Sequence, residues 1–206
     1  TAIQYFNDKV QELNNQYSEQ QKSGVISDKQ RASFEVGMDG LNKLIDTLDS
    51  IKTKTKQEKD ALLIYQMLME LPIRNELATL EFITKSKFKT LNQDKKKDRN
   101  FIVVSVDNME MVRYGYKTGK IYGEIRTPIS KGLRENLIPR KRQVTSADYL
   151  FRDGKDEPLS NQKLAELLNY QSKKILGVPI GTTLFTKIRL SHEHGESVQK
   201  LKKEAD

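Results

Sequence analysis

Residues 100–129 restrict the fold of this chain more than any other stretch. They contain three short runs of β-branched or alternating apolar residues, which are NFIVVSV (100–106), MEMVRYGY (109–116) and IYGEIRTPI (121–129). Turn-forming sequences separate these runs, Asp-Asn at 107–108 and Lys-Thr-Gly-Lys at 117–120. This spacing predicts a three-stranded antiparallel meander with two tight hairpins.

Helical periodicity dominates on both sides of this block. Apolar residues recur there at intervals of three and four, which is typical of one helix face. The segments with this pattern are 1–22, 28–51, 59–71, 74–82, 129–142 and 159–177, and the stretch from 182 onward. The helix at 159–177 has Ser160 as its predicted N-cap and Gly177 as its predicted stop. Residues 85–100 have few apolar anchors and are predicted to form a loop. The chain is therefore predicted to be α+β, mainly helical with a small three-stranded antiparallel sheet.

The charge balance points to a polyanionic partner. Lysine and arginine number 36 against 28 aspartate and glutamate, a net charge of +8. This surplus favours nucleic acid first and an anionic membrane surface second, while a merely basic soluble protein is the alternative. The absence of cysteine excludes disulfides and thiolate zinc sites, and the longest apolar run, at 61–72, is too short to span a bilayer.

Cationic side chains stand at two places in the sequence where their chemistry suits a phosphate contact. Arg74 follows Pro72 at the start of a predicted helix, where a guanidinium held by packing presents a rigid fork to a phosphate. The alternative is a surface arginine paired with Glu76 or Glu70. The lysines of the 117–120 turn can probe a groove or donate a proton to a leaving oxygen, or they are ordinary solvated lysines.

Two further clusters of basic residues fit a DNA clamp. They are Lys85, Lys87, Lys89 and Lys95–Lys97 before the predicted sheet, and Arg140, Lys141 and Arg142 after it. A solvated lysine loop is the alternative for the first cluster. His192 and His194 stand two residues apart and do not share a helix face, so no metal site is predicted. Neither a nucleophile-elbow motif nor a phosphate-binding loop occurs.

The order of these segments resembles the catalytic domain of the tyrosine recombinase (phage integrase) family. PIRNELATLEF is similar to the family's first arginine box, R-x-x-E-L, with the acid two residues after Arg74 instead of three. YKTGKIYGEIRTPIS followed by GLRENL is similar to the family's lysine hairpin and the helix after it. YLF and PLSNQKLAELLNYQSKKILG resemble the stretch that leads to the second box, and KKEAD resembles the run before the nucleophilic tyrosine. The resemblance covers roughly residues 28–206, and residues 1–27 are then the helical tail of a core-binding domain.

The resemblance implies DNA strand cleavage and rejoining in recombination or integration through a 3′-phosphotyrosine intermediate. By this comparison Arg74 binds a non-bridging phosphate oxygen and Lys117 protonates the leaving 5′-oxygen, with Lys120 as the alternative. The second box, His-x-x-Arg, aligns with Thr183 and Thr186, or, in a frame shifted by three, with Thr186 and Arg189. Arg189 is the candidate for the second arginine. The nucleophilic tyrosine is expected beyond the last residue of the sequence.

The implied partner is double-stranded DNA, bound by a homotetramer on paired sites, without a cofactor or a membrane. The implied location is intracellular, wherever that DNA is. The DNA-contacting candidates are Lys85, Lys87, Lys120, Arg140, Lys141 and Arg142. Two alternatives stay open, a non-catalytic DNA-binding protein of the same fold and a helical scaffold that binds an acidic protein.

Overall fold

The structure is a computed structural model that describes residues 2–22, 28–116, 121, 123–141 and 148–205. The chain forms two compact units, Thr1–Glu35 and Val36–Asp206. The first unit contains helices α1 (Ala2–Lys22) and α2 (Asp28–Phe34). The apolar face predicted for the first helix is present, and its residues Ile3, Phe6, Val10 and Leu13 are exposed.

Most of the second unit is helical. Its helices are α3 (Gly37–Ser50), α4 (Lys56–Glu70), a 3₁₀ helix (Asn75–Thr79), α5 (Lys85–Thr90), α6 (Gln93–Lys96), α7 (Lys131–Lys141), α8 (Asn161–Leu176) and α9 (Thr182–Ala205). The predicted caps of α8 are confirmed. The Ser160 side chain accepts a hydrogen bond from the Lys163 N–H, and Gly177 ends the helix with a left-handed φ of 78°.

Within the described residues, five strands form one mixed sheet. They are β1 (Leu80–Thr84), β2 (Asn100–Val104), β3 (Met109–Arg113), β4 (Ile125–Pro128) and β5 (Asp148–Tyr149), in the spatial order β4-β3-β2-β1-β5. Strands β2, β3 and β4 pair antiparallel, which confirms the predicted meander. Strand β1 pairs parallel with β2, and β5 pairs antiparallel with β1. The α+β class is therefore confirmed, and the sheet is larger than the predicted three strands because β1 and β5 extend it.

Two local predictions are wrong. The segment 74–82 was predicted to be a helix but forms the 3₁₀ helix and then β1, whose first four residues are buried. A strand buried on both faces lacks the alternation that distinguishes a strand from a helix. Residues 85–100 were predicted to be a loop but contain α5 and α6, which begin at side-chain caps from Thr84 and Asn92.

Contacts with α4 and the 3₁₀ helix hold the start of α9 in place. Tyr65 of α4 stacks on Phe185 of α9, with ring centroids 5.5 Å apart, and its hydroxyl donates to the Leu168 carbonyl of α8 at 2.8 Å. The Thr182 hydroxyl donates to the side-chain oxygen of Asn75 at 2.8 Å. The first turn of α9 is therefore held against the 3₁₀ helix. No helix in the described parts of the chain has the length and apolar character needed to cross a membrane.

Candidate functional site

A cavity of about 550 Å³ lies where the 3₁₀ helix, the sheet and two helix starts meet. Its described lining comes from five places in the chain, which are Arg74, Asn75, Glu76 and Thr79 of the 3₁₀ segment, Asp98 and Asn100 at the start of β2, Gly115 and Tyr116 after β3, Asn161 of α8 and Thr183 of α9. Polar side chains predominate. The tertiary structure thus brings together segments that are far apart in the sequence.

Arg74 lies at the N-terminal end of the 3₁₀ helix with an exposed side chain. Its backbone N–H donates to the Glu76 carboxylate at 2.9 Å. Glu70 instead accepts hydrogen bonds from the Ser130 N–H at 2.6 Å and the Ser130 hydroxyl at 2.5 Å. Among the described residues, no carboxylate forms an ion pair with the Arg74 guanidinium. The guanidinium therefore remains available to an anion in the cavity.

The chain that leaves β3 is clamped by a buried amide. The Asn100 side chain donates to the Gly115 carbonyl at 2.9 Å and accepts from the Gly115 N–H at 3.1 Å. A Cβ atom at position 115 would lie 2.4 Å from the Asp98 carbonyl oxygen, so only glycine fits there. This clamp fixes the backbone next to Tyr116, the residue that precedes Lys117 in the sequence. Lys117 and Lys120 lie outside the described residues.

The two predicted alignments of the second box place different residues relative to the cavity. Thr183 is exposed and lines the cavity, whereas the Thr186 hydroxyl donates to the Thr182 carbonyl at 2.9 Å within the helix. Both side chains are neutral. Of the residues that the two alignments name, Thr183 is the one in the described lining of the cavity that also contains Arg74.

Arg189, the predicted second arginine, is buried against α4. Its side chain is 7% exposed, and one guanidinium nitrogen, Nη1, donates to the carbonyls of Leu68 and Met69 at 2.8 Å each. These carbonyls belong to the last turn of α4, where no helical N–H is available to them. Arg189 does not belong to the described lining of the cavity. The reason is its helix position, because residue 189 faces α4 whereas residue 183 faces the cavity.

The predicted DNA-contacting residues fall into three groups. Lys85 and Lys87 are exposed on α5. Arg140 forms an ion pair with Asp60, which is 3% exposed, so its guanidinium serves the packing of α7 on α4. Lys141 ends α7, and its side chain is outside the described part of the structure, as is the whole of residue 142, the predicted Arg142 contact.

The charges around the cavity do not by themselves make it an anion site. Its described lining carries one cation, Arg74, and two carboxylates, Glu76 and Asp98. A further cation, Arg113, is buried nearby, with its guanidinium carbon 5.4 Å from the centre of the Tyr116 ring. Sequence reasoning missed both Arg113 and Asn100. Nothing in a strand sequence distinguishes a buried polar side chain from a solvated one.

No group of three or more potential ligand side chains in the described residues could hold a metal ion.

Comparison of the chain with protein-family models, with curated proteins and with solved structures finds no match.

Proposed function

We propose that the protein cleaves and rejoins DNA strands in site-specific recombination, as the resemblance to tyrosine recombinases implies. One observation supports this proposal above the others. Arg74 and the two residues before Lys117, Gly115 and Tyr116, line one cavity together with Thr183, which one of the two alignments of the second box assigns to the active site. Arg189, the candidate second arginine of the other alignment, does not belong to this described lining. Nothing in the local sequence requires such a convergence.

In this proposal a phosphate of duplex DNA occupies the cavity. The Arg74 fork binds a non-bridging oxygen, and its charge stabilises the extra negative charge of the transition state. A nucleophilic tyrosine forms a bond to phosphorus as the bond to the 5′-oxygen breaks, and its phenolic proton passes to water. Lys117 donates the proton that the 5′-oxygen takes up. A 5′-hydroxyl of another strand then reverses the step.

A non-catalytic DNA-binding protein of the same fold is the second candidate function. The second box favours it, because Thr183 and Thr186 are uncharged and Arg189 is bonded to α4 carbonyls. A site with one fixed arginine lacks a charge that the first mechanism uses. Both functions require DNA binding, so binding is tested first.

The binding experiment uses the 206-residue chain and a fluorescently labelled duplex, with anisotropy measured at several salt concentrations. We expect the logarithm of the binding constant to fall linearly with the logarithm of salt, with a slope of about −0.9 for each phosphate neutralised. Arg74→Ala should weaken binding more than Arg134→Ala, because the Arg134 guanidinium donates to the carbonyls of Val106 and Asp107. Absence of salt-dependent binding contradicts both candidate functions. The remaining hypothesis is then the helical scaffold that binds an acidic protein.

The cleavage experiment uses the natural protein at its full length and a nicked duplex that traps the covalent intermediate. We expect a protein–DNA adduct whose rate of formation falls about 10²–10³-fold in Arg74→Ala and in Lys117→Ala, the usual loss on removal of one preorganised donor. Tight, salt-dependent binding without an adduct would instead establish the non-catalytic candidate.

A further inference from the structure

Arg113 is a charged side chain buried at the end of β3. It is 8% exposed, and its Nη1 atom donates to the Pro72 carbonyl at 2.5 Å. Its Nε atom has no hydrogen-bond partner in the described part of the protein, and no described carboxylate lies within ion-pair distance of it. Burial lowers the pKa of Arg113, and the nearby charge of Glu76 acts in the opposite direction. A buried cation without a paired carboxylate is a poor source of stability, so another role is indicated.

The contacts of Arg113 join two walls of the cavity. Pro72, whose carbonyl it binds, lies two residues before Arg74. The Tyr116 ring lies against the guanidinium, with 5.4 Å between the Arg113 Cζ atom and the ring centroid. Arg74 and Tyr116 both line the cavity. A single side chain therefore connects the segment that carries the candidate phosphate-binding arginine to the strand that precedes Lys117 in the sequence.

Strand β2, which pairs with β3, also holds the end of β3. Arg113 is paired with Asn100 in the β2–β3 register, and Asn100 clamps Gly115 through both polar atoms of its amide. The end of β3 is thus fixed by Asn100, and the 3₁₀ segment is fixed to β3 by Arg113. Precise placement of a donor relative to a phosphate requires support of this kind.

We propose that Arg113 is a positioning residue that holds the Arg74 segment in the geometry needed to bind a DNA phosphate. This inference rests on the proposed function. It assigns to Arg113 no contact with the DNA. Its effect on DNA binding must therefore pass through Arg74, and this is what distinguishes positioning from a general contribution of positive charge.

A double-mutant cycle in DNA binding tests this dependence. Arg113→Met keeps the apolar length of the side chain and removes the donor to Pro72. We expect it to lower duplex affinity about fivefold in the natural sequence and less than about twofold in the Arg74→Ala background, because coupled residues are non-additive. If Arg113→Met does not fold, Arg113→Gln replaces it in the same cycle. Arg113→Lys keeps a cation that can reach the Pro72 carbonyl and is expected to recover most of the lost affinity.

Arg126→Met is the matched control for charge. Arg126 lies on β4 of the same sheet and is paired with Glu110 and Glu124, so its removal changes the charge without releasing the 3₁₀ segment. Its effect should be the same in both backgrounds. An Arg113→Met effect of equal size in both backgrounds would show that Arg113 acts by charge alone, and it would overturn the inference.

Hydrogen exchange provides a readout that needs no DNA. The Leu77 N–H donates to the Arg74 carbonyl at 3.2 Å and reports on the order of this segment. We expect it to exchange faster in Arg113→Met and at the natural rate in Arg126→Met. If the natural protein does not bind DNA, the proposed function fails while this measurement still tests the hold of Arg113 on the segment. Unchanged exchange at Leu77 in Arg113→Met contradicts the positioning role.

Discussion

Replacement of Arg189 by methionine separates the structural position of this arginine from the catalytic role predicted for it. The substitution keeps the apolar part of the side chain and removes the donor to the carbonyls of Leu68 and Met69. A hydrogen bond from a charged donor contributes about 1.5–3 kcal/mol, and a buried acceptor left without a partner adds a desolvation cost. Since one nitrogen serves both carbonyls, we expect a loss of roughly 2–4 kcal/mol in the free energy of unfolding.

Thermal unfolding measures this loss directly. For a chain of this size each kcal/mol shifts Tm by about 2–4 °C, so a loss near 3 kcal/mol corresponds to roughly 6–12 °C. Arg134→Met is the matched control, because that guanidinium also donates to two backbone carbonyls but lies where water can replace it. We expect the control to lose about 1 kcal/mol or less.

DNA binding completes the test at a temperature where both variants are folded. Because Arg189 does not line the cavity, folded Arg189→Met should bind duplex DNA as tightly as the natural protein. Two results would refute the reasoning. One is a Tm equal to that of the natural protein. The other is a loss of covalent adduct of about 10²–10³-fold in the folded variant, which would indicate that Arg189 contacts the phosphate.

Three further predictions concern single contacts in the second unit. Gly115→Ala should destabilise the protein by about 1–3 kcal/mol in urea unfolding, because the new Cβ would lie 2.4 Å from the Asp98 carbonyl oxygen. The hydrogen bond from Lys163, with backbone N–H donors, lowers the pKa of Asp153 from 3.8 to about 2. The resulting stabilisation of the folded protein is present above pH 3.8 and is lost as the pH falls through about 2. An NMR titration should show that Lys163→Ala raises the pKa of Asp153. Tyr65→Phe should cost about 0.5–1.5 kcal/mol in thermal unfolding, because it removes the 2.8 Å hydrogen bond to the Leu168 carbonyl, which keeps the Ser172 hydroxyl as a donor at 2.9 Å.

The Gly115 and Tyr65 predictions each have a control within the same chain. Gly132 lies in α7 with no atom within 4 Å of an added Cβ, so Gly132→Ala should stabilise the protein by about 0.4–1 kcal/mol. Tyr170 is 61% exposed, and Tyr170→Phe should leave Tm unchanged. Equal effects in a variant and its control, or an Asp153 pKa that does not respond to Lys163→Ala, would contradict the corresponding contact.

Several parts of the fold were predictable because their signals are local. The β2-β3-β4 meander follows from alternation and turn residues within a single stretch of sequence. The ends of α8 follow from Ser160 and Gly177, whose side-chain and backbone properties act on their immediate neighbours. The α+β class follows from the order of such elements.

The sequence by itself determined these local elements, together with the excess of basic residues, because periodicity, capping and turn chemistry depend on neighbours in the chain. Only the tertiary structure decided that β1 joins the sheet parallel to β2, that Arg189 and Arg140 are used in packing, and that Arg74, Gly115 and Thr183 border one cavity. Strand partners, burial and the convergence of distant segments depend on which surfaces meet. This depends on the packing of the whole core, which no single stretch of sequence encodes.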